Sequence, residues 1–338
     1  MNTEATEWSR RELFRGAVAA AAGLAGLHSK PAFAEPPPET PKLRLLRTGS
    51  ICWTPQYIAE PLLRDEGFSE IQYVEMSVGD VIARALAADQ ADLSMEFVAP
   101  NIIRLEAGDP IVFLAGGHVG CLELRGGERV HTLRDLKGRV IAVSAIGSVD
   151  YVFISSMLAY VGLDPRRDIR WIPQPLDVSM QHIAEGKIDA VMTFPPFAQQ
   201  TREKKFGRVI VNTATDRPWS QYFCCIVAGR REFVQKYPAA TKRALRAILK
   251  AADVCALEPE RTARSLVDKG YVKQYEVALQ TMKDLPYGKW REYDPEDTIR
   301  FYALRLHEAG MVKSSVQKLI AEGTEWRFLN ELKKELKS

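Results

Sequence analysis

Five short stretches carry side chains suited to gripping a small molecule: TGSICWTPQ (48–56), MEF (95–97), GGH (116–118), GS (147–148) and TF (193–194). Ser148 follows Gly147 where a helix is expected to start. Free N–H groups at such a start can hold a carboxylate, sulfonate or carbonyl oxygen, although Ser148 could also serve only as the N-cap. Ser50, after Gly49, occupies the same kind of position. Trp53 and Gln56 offer stacking and an orienting amide, with core burial as the plain alternative for the tryptophan. Glu96 precedes Phe97 at a strand end. As a carboxylate it would repel an anion and favour an amine or N–H donor; its alternative is a helix cap or an ion pair outside any cleft. His118 can donate to an oxyanion or act as a neutral donor and acceptor. Thr193 and Phe194 mirror Glu96 and Phe97, and Trp219 and Tyr222 are expected in a lid. No lysine or arginine falls in these stretches, whereas many anion sites use a bidentate arginine. A neutral or amine-bearing, heteroaromatic ligand fits slightly better, while helix starts keep an anion open.

The chain lacks the spacings of common catalysts: no Ser/His/Asp arrangement, no HExxH, no G-x-x-x-x-G-K-[ST] loop. No catalytic residue, metal or cofactor is therefore expected. Five cysteines (52, 121, 224, 225, 255) follow no ligand spacing. Cys224 and Cys225 sit in YFCCIV, a strand pattern. Alternation would send them to opposite faces, as small apolar fillers rather than a joint site. Lys and Arg number 46 against 43 Asp and Glu; without a basic stripe, nucleic acid is not an expected partner.

The elements that must position these residues alternate strand and helix, which argues for mostly parallel sheets. The pattern runs once through 42–117 and again through 139–214. Gly49-Ser50 recurs at Gly147-Ser148, Ile71–Val74 at Ile169–Ile172, and Ala91-Asp92-Leu93 at Ile188-Asp189-Ala190, at offsets of 98 or 97. Two similar lobes are expected to hold a ligand between loops at the carboxyl ends of their strands. From about 231 the chain turns to amphipathic helices, with Asp294 and Ser314 as starts and Gly270 and Gly310 as stops. At the other end, paired Arg10-Arg11, the apolar run 17–27 and Ala32-Phe33-Ala34 read as a twin-arginine-type signal peptide over 1–34, the alternative being a buried Ala-rich helix, and an exposed Pro-rich leader is expected at 35–42.

TGSICWTPQY, GDVIARALAADQADLSMEF, GGHVGCLEL, TLRDLKGRVIAVSAIGSVDYVF, VGLDP, GKIDAVMTFPP and REFVQKYPAATKRALRAIL follow one another in this order. In these segments the chain resembles the periplasmic solute-binding proteins of the nitrate/sulfonate/taurine ABC importers, including relatives similar to pyrimidine-precursor binders. The resemblance implies an α/β, two-lobed periplasmic-binding-protein (Venus-flytrap) fold with a helical C-terminal tail. Lobe one would be 43–125 and 224–338, and lobe two 126–223. The first crossing would lie near 124–132, with Gly126-Gly127 as its joint, and the second near 215–223. The implied protein is a periplasmic, monomeric receptor and not an enzyme. It would capture a small organic solute and dock at the membrane through a separate permease with its own ATPase. The alternatives are an enzyme resembling the thiamine-pyrimidine synthases or a soluble ligand sensor.

Overall fold

The computed structural model describes residues 35–76 and 82–336; the expected signal peptide lies outside them. Among the described residues ten strands form two five-stranded sheets. In the first, β1 (Lys42–Arg47) pairs in parallel with β2 (Glu70–Glu75) and β3 (Leu93–Phe97). β10 (Phe223–Arg230) runs antiparallel between β3 and β4 (Ile111–Val119), giving the order β2-β1-β3-β10-β4. In the second, β6 (Val140–Val143) pairs in parallel with β7 (Arg170–Pro173) and β8 (Ala190–Thr193). β5 (Glu123–Gly126) runs antiparallel between β8 and β9 (Arg208–Asn212), giving β7-β6-β8-β5-β9. The two orders are the same, with β5 and β10 in matching places, so the internal echo is a repeat of topology.

The repeated aspartates show what the echo does. Asp92 accepts the Arg44 N–H of β1 at 2.8 Å, while its own N–H donates to the Arg44 carbonyl at 2.9 Å. Asp189 accepts the Val140 N–H of β6 at 3.0 Å and donates to the Val140 carbonyl at 2.8 Å. Each buried carboxylate pins the third strand of its sheet to the first.

Two segments cross between the sheets, and the first lies earlier than the sequence suggests. ELRG (123–126) is a strand of the second sheet, and Gly127 donates to the Asp189 carbonyl at 2.8 Å within it. Gly126-Gly127 is therefore not the joint. The crossing is the turn Gly120–Leu122, and the return is Thr213–Tyr222. Thr213 ties them together: its hydroxyl oxygen accepts from Cys121 N at 3.1 Å and Leu122 N at 2.9 Å, and its hydroxyl donates to the Leu122 carbonyl at 3.0 Å.

Helices flank the sheets. α1 (Thr54–Ile58) and α2 (Glu60–Asp65) follow β1, α3 (Ile82–Ala85) follows β2, and α4 (Val98–Glu106) follows β3. The second half carries α5 (Val149–Tyr160), α6 (Leu176–Ala184) and α7 (Phe197–Glu203). α5 is apolar round most of its circumference and so must be covered round most of it; it packs on α4 and on tail helix α12 (Pro295–Glu308). The tail also holds α8 (Arg231–Lys236), α9 (Pro238–Leu257), α10 (Pro259–Asp268) and α11 (Tyr275–Asp284). It returns to the first sheet, where α9 packs on α1, α2 and β4. Asp294 caps α12 as expected, and Gly270 and Gly310 take the positive φ of helix stops. The last helical stretch splits into α13 (Val316–Gly323) and α14 (Arg327–Glu335), because Glu325 N–H donates to Phe113 of β4 between them. Ser315, not Ser314, caps α13. The leader is less free than expected: Glu39 accepts from Ala239 N and Ala240 N at 2.8 and 2.7 Å. A carboxylate there satisfies open donors in the first turn of α9 and complements its dipole. Among the described residues no helix is long and apolar enough to cross a membrane.

Candidate functional site

The loop after β1 is a 3₁₀ turn, Ile51–Trp53, leading into α1. The Ser50 hydroxyl before it donates across to the Pro195 carbonyl of the second half at 3.3 Å. The Trp53 ring centre stands 5.7 Å from that of Phe97, which is 6.4 Å from Phe153 of α5. Loops at the carboxyl ends of strands in both sheets therefore meet around an aromatic group. Trp53 is fully buried and its Nε1 has no partner among the described residues. Gln56 is differently employed. Its amide donates to Leu46 O at 2.5 Å and accepts from Met95 N at 2.6 Å, so both ends tie β1 to β3. That is a structural brace, and the amide has no capacity left in these directions for orienting a ligand.

Glu96 is 1 % exposed and accepts from Asn101 Nδ2 of α4 at 3.2 Å, while its Oε1 is buried without a partner among the described residues. Burial drives its carboxyl well above the usual range, and the Asn101 bond only partly offsets this. A carboxyl kept protonated in this way would donate a hydrogen bond rather than repel an anion.

Gly147 takes φ +89° and leads into Ser148, the N-cap of α5. The Ser148 hydroxyl is engaged by Asp150 and by the Ala145 carbonyl at 2.6 Å. Asp150 also accepts from Ser144 N at 2.7 Å. The loop is thus closed on itself. Thr193 is buried and donates weakly to Glu123 O at 3.4 Å, and Phe194 meets Phe197 edge to face. Trp219 and Tyr222 do not form a lid: Trp219 packs on Phe301 at 5.3 Å, and Tyr222 stacks on Phe301 at 4.0 Å. They fasten the returning segment to α12.

His118 is fully buried. Its Nδ1 lies 2.8 Å from Gly120 O, and its ring meets Tyr287 edge-on at 5.4 Å. Around it stand Cys52, Cys121 and Cys225, a cluster that sequence reasoning missed. Strand alternation fails at YFCCIV because β10 carries register shifts against β4 on both sides of Cys225. A bulge adds a residue and re-aims the side chains. Cys224 Sγ consequently lies 3.9 Å from Cys225 Sγ and 2.7 Å from Cys121 Sγ. Burial raises the Cys52 and Cys121 thiols. At Cys224 burial is the largest single influence and acts upward, but the hydrogen bonds with Cys121 and Cys225 together outweigh it and bring that thiol to about 7. The one sequence clue was H-x-x-C at 118–121.

The model of the NMT1-like family matches residues 64–268. The chain belongs to the NMT1-like family. A nitrate import ATP-binding protein of Synechocystis is 28% identical over 175 residues, covering 49% of this NMT1-like chain but only 25% of that relative. The chain therefore spans about a quarter of that protein. A 4-amino-5-hydroxymethyl-2-methylpyrimidine phosphate synthase of Saccharomyces cerevisiae is 22% identical over 234 residues, 64% of this chain and 68% of the synthase. Among solved structures, the periplasmic nitrate-binding protein NrtA of Synechocystis superposes with a TM-score of 0.73 at 16% identity, over 89% of this chain and 90% of that one. At that identity the likeness establishes the two-lobed periplasmic-binding-protein fold.

In this NMT1-like chain the halves also touch away from the aromatic group. Arg202 of α7 pairs with Asp284 of α11 and with Glu123 at 3.2 Å, and Gln199 donates to Asp284 at 3.0 Å. Arg202 remains about one-third exposed, so the pair is screened. Asp284→Ala is expected to lower unfolding stability by about 1 kcal/mol at low salt, with the deficit shrinking in high salt. Denaturant titrations at two ionic strengths measure this; a deficit indifferent to salt would rule out an electrostatic latch.

Proposed function

We propose that the protein is an extracytoplasmic solute-binding receptor of an ABC importer. The observation that carries this reading is the meeting of strand-end loops from two equivalent sheets, Ser50 with Pro195 and Phe97 with Phe153, in an NMT1-like chain joined by two crossings. Such strand ends are where open α/β sheets take ligands. The lobes, 43–122 with 223–338 and 123–222, close over a small organic solute by hinge motion at the crossings. Trp53, Phe97 and Phe153 supply apolar walls, and Ser50, Gly147, Ser148, Thr193, Phe194 and a neutral Glu96 are the further proposed contacts. A neutral Glu96 removes the objection to an anion, so sulfonates and aromatic acids stand beside amines and pyrimidines. The receptor works as a periplasmic monomer, reached by the twin-arginine route, and delivers its solute to a separate permease driven by its ATPase.

A thermal-shift screen of the full chain against taurine, alkanesulfonates, nitrate, aromatic acids, amines and pyrimidines tests this. A ligand at about 100 times its Kd adds about 2.7 kcal/mol of stability. Saturable stabilisation with the compound recovered intact is the expected result. Conversion of the bound compound into product would instead establish an enzyme, the reading favoured by the buried cysteine–histidine cluster.

A further inference from the structure

We propose that Cys52, His118, Cys121 and Cys225 form a buried site for a thiophilic transition-metal ion, with zinc(II) the ion their chemistry matches. Their donor atoms all lie within 4.8 Å of one another. A tetrahedral zinc site with Zn–S bonds of about 2.3 Å sets its sulfurs about 3.8 Å apart, so small movements would bring the four together. Three cysteines and one histidine make a known tetrahedral zinc donor set, and soft sulfur ligands exclude magnesium and calcium.

Each donor is positioned by the fold. Cys52 sits in the 3₁₀ turn after β1, where Tyr287 Oη donates to its carbonyl at 3.2 Å. His118 and Cys225 are register partners on β4 and β10. Cys121 belongs to the first crossing, held by Thr213. All four residues are 4 % exposed or less.

The histidine supplies a second, independent indication. With Gly120 O 2.8 Å away, Nδ1 must carry the proton and donate. This is the backbone bond that metal-ligating histidines usually make through their other nitrogen. In the neutral ring this leaves the Nε2 lone pair free, and Nε2 is buried with no hydrogen-bond partner among the described residues. An orphaned buried acceptor is costly; a metal ion would satisfy it. Binding would displace the three thiol protons and leave thiolates on the ion, so affinity falls as pH falls. The ion would join the first crossing to the β1 loop and to β10.

Cys224 defines the rival outcome. Its sulfur is 2.7 Å from Cys121, and a Cys121–Cys224 disulfide would withdraw a ligand from the ion. The test uses the full chain purified under reducing conditions without chelator. Elemental analysis is expected to find about one equivalent of zinc, or of iron on the same ligands. Cobalt(II) titration should give the absorption of a tetrahedral, thiolate-bound ion. X-ray absorption on the native protein should count three sulfurs and one nitrogen, which needs no variant to fold. Cys52→Ser and Cys225→Ser should weaken cobalt binding by more than the ~10–100-fold that loss of an outer-shell partner costs. Cys255→Ser, on α9 and outside the cluster, should bind as the native chain does. Five free thiols with no metal and no cobalt–thiolate absorption would overturn the site, as would a Cys121–Cys224 disulfide or undiminished binding in Cys225→Ser. Metal content and solute binding are separate readouts, so solute binding by a metal-free chain would leave the receptor standing and remove only this site.

Discussion

Replacing Gly120 by alanine is expected to cost about 3–5 kcal/mol of unfolding free energy, a large part of the 5–15 kcal/mol that holds a typical protein folded. Gly120 takes φ +58°, a left-handed conformation that costs another L-residue about 1–2 kcal/mol. A Cβ there would collide with the backbone of Ala214 in the returning segment. Backbone cannot rotate away as a side chain can, so the crossings would have to separate. Separation strains the three Thr213 bonds that join them, each worth about 1 kcal/mol. Gly147→Ala is the control. It also has positive φ, +89°, but a Cβ there meets nothing within 4 Å, so it isolates the conformational cost at about 1–2 kcal/mol. Denaturant unfolding of both variants separates the two effects. Equal losses would mean that the contact between the crossings contributes nothing.

That contact also shows where the sequence stops being legible. Alternating strands and helices, the doubled Gly-Ser and the doubled Asp before a strand were enough to place two similar lobes and a helical tail. Each of these signals is local. The misplaced crossing came from ELRG, which looks like a polar linker because it holds Glu123 and Arg125. Within β5 the two charges pair with each other at 2.8 Å and are both buried; the pairing offsets only part of the burial cost, which still raises Glu123 and lowers Arg125. Trp219 and Tyr222 looked like a lid for a related reason: their ring partner, Phe301, lies some eighty residues further on. No local pattern announces such a partner.

The cysteine cluster was hidden twice over. Its members come from three stretches, Cys52, His118 with Cys121, and Cys225, so the H-x-x-C spacing alone could not reveal the set. The strand rule that set Cys224 and Cys225 apart assumes an unbroken ladder, and β10 is bulged at that point. Gln56 failed as a ligand residue for a simpler reason: an amide next to two strand edges finds two backbone groups to satisfy. Ser50, Trp53 and Phe97 were candidates because loops at the carboxyl ends of strands converge whatever their sequence.

Glu96→Gln is expected to stabilise the protein progressively as pH rises. The folded carboxyl is raised, so the native chain keeps a proton that the unfolded chain releases near pH 4.3. Its contribution to stability is full below that pH and is lost as pH climbs towards the folded value. In that window the loss runs at about 1.4 kcal/mol per pH unit. The isosteric amide has no proton to release. The difference between variant and native chain should therefore grow steadily as pH rises above about 4.3 towards the folded value, while slopes from other groups cancel in the comparison. A constant difference would mean that Glu96 is ionised in the folded state. The same variant decides the charge of the pocket. If Glu96 is neutral, glutamine at that position should change the affinity of an anionic ligand little. If it is a carboxylate, removing its charge should tighten anion binding about tenfold or more, since 1.4 kcal/mol of relieved repulsion already amounts to a factor of ten. Stability and ligand affinity thus report on one proton by independent routes, and the burial of Glu96 against Asn101 predicts the same answer from both.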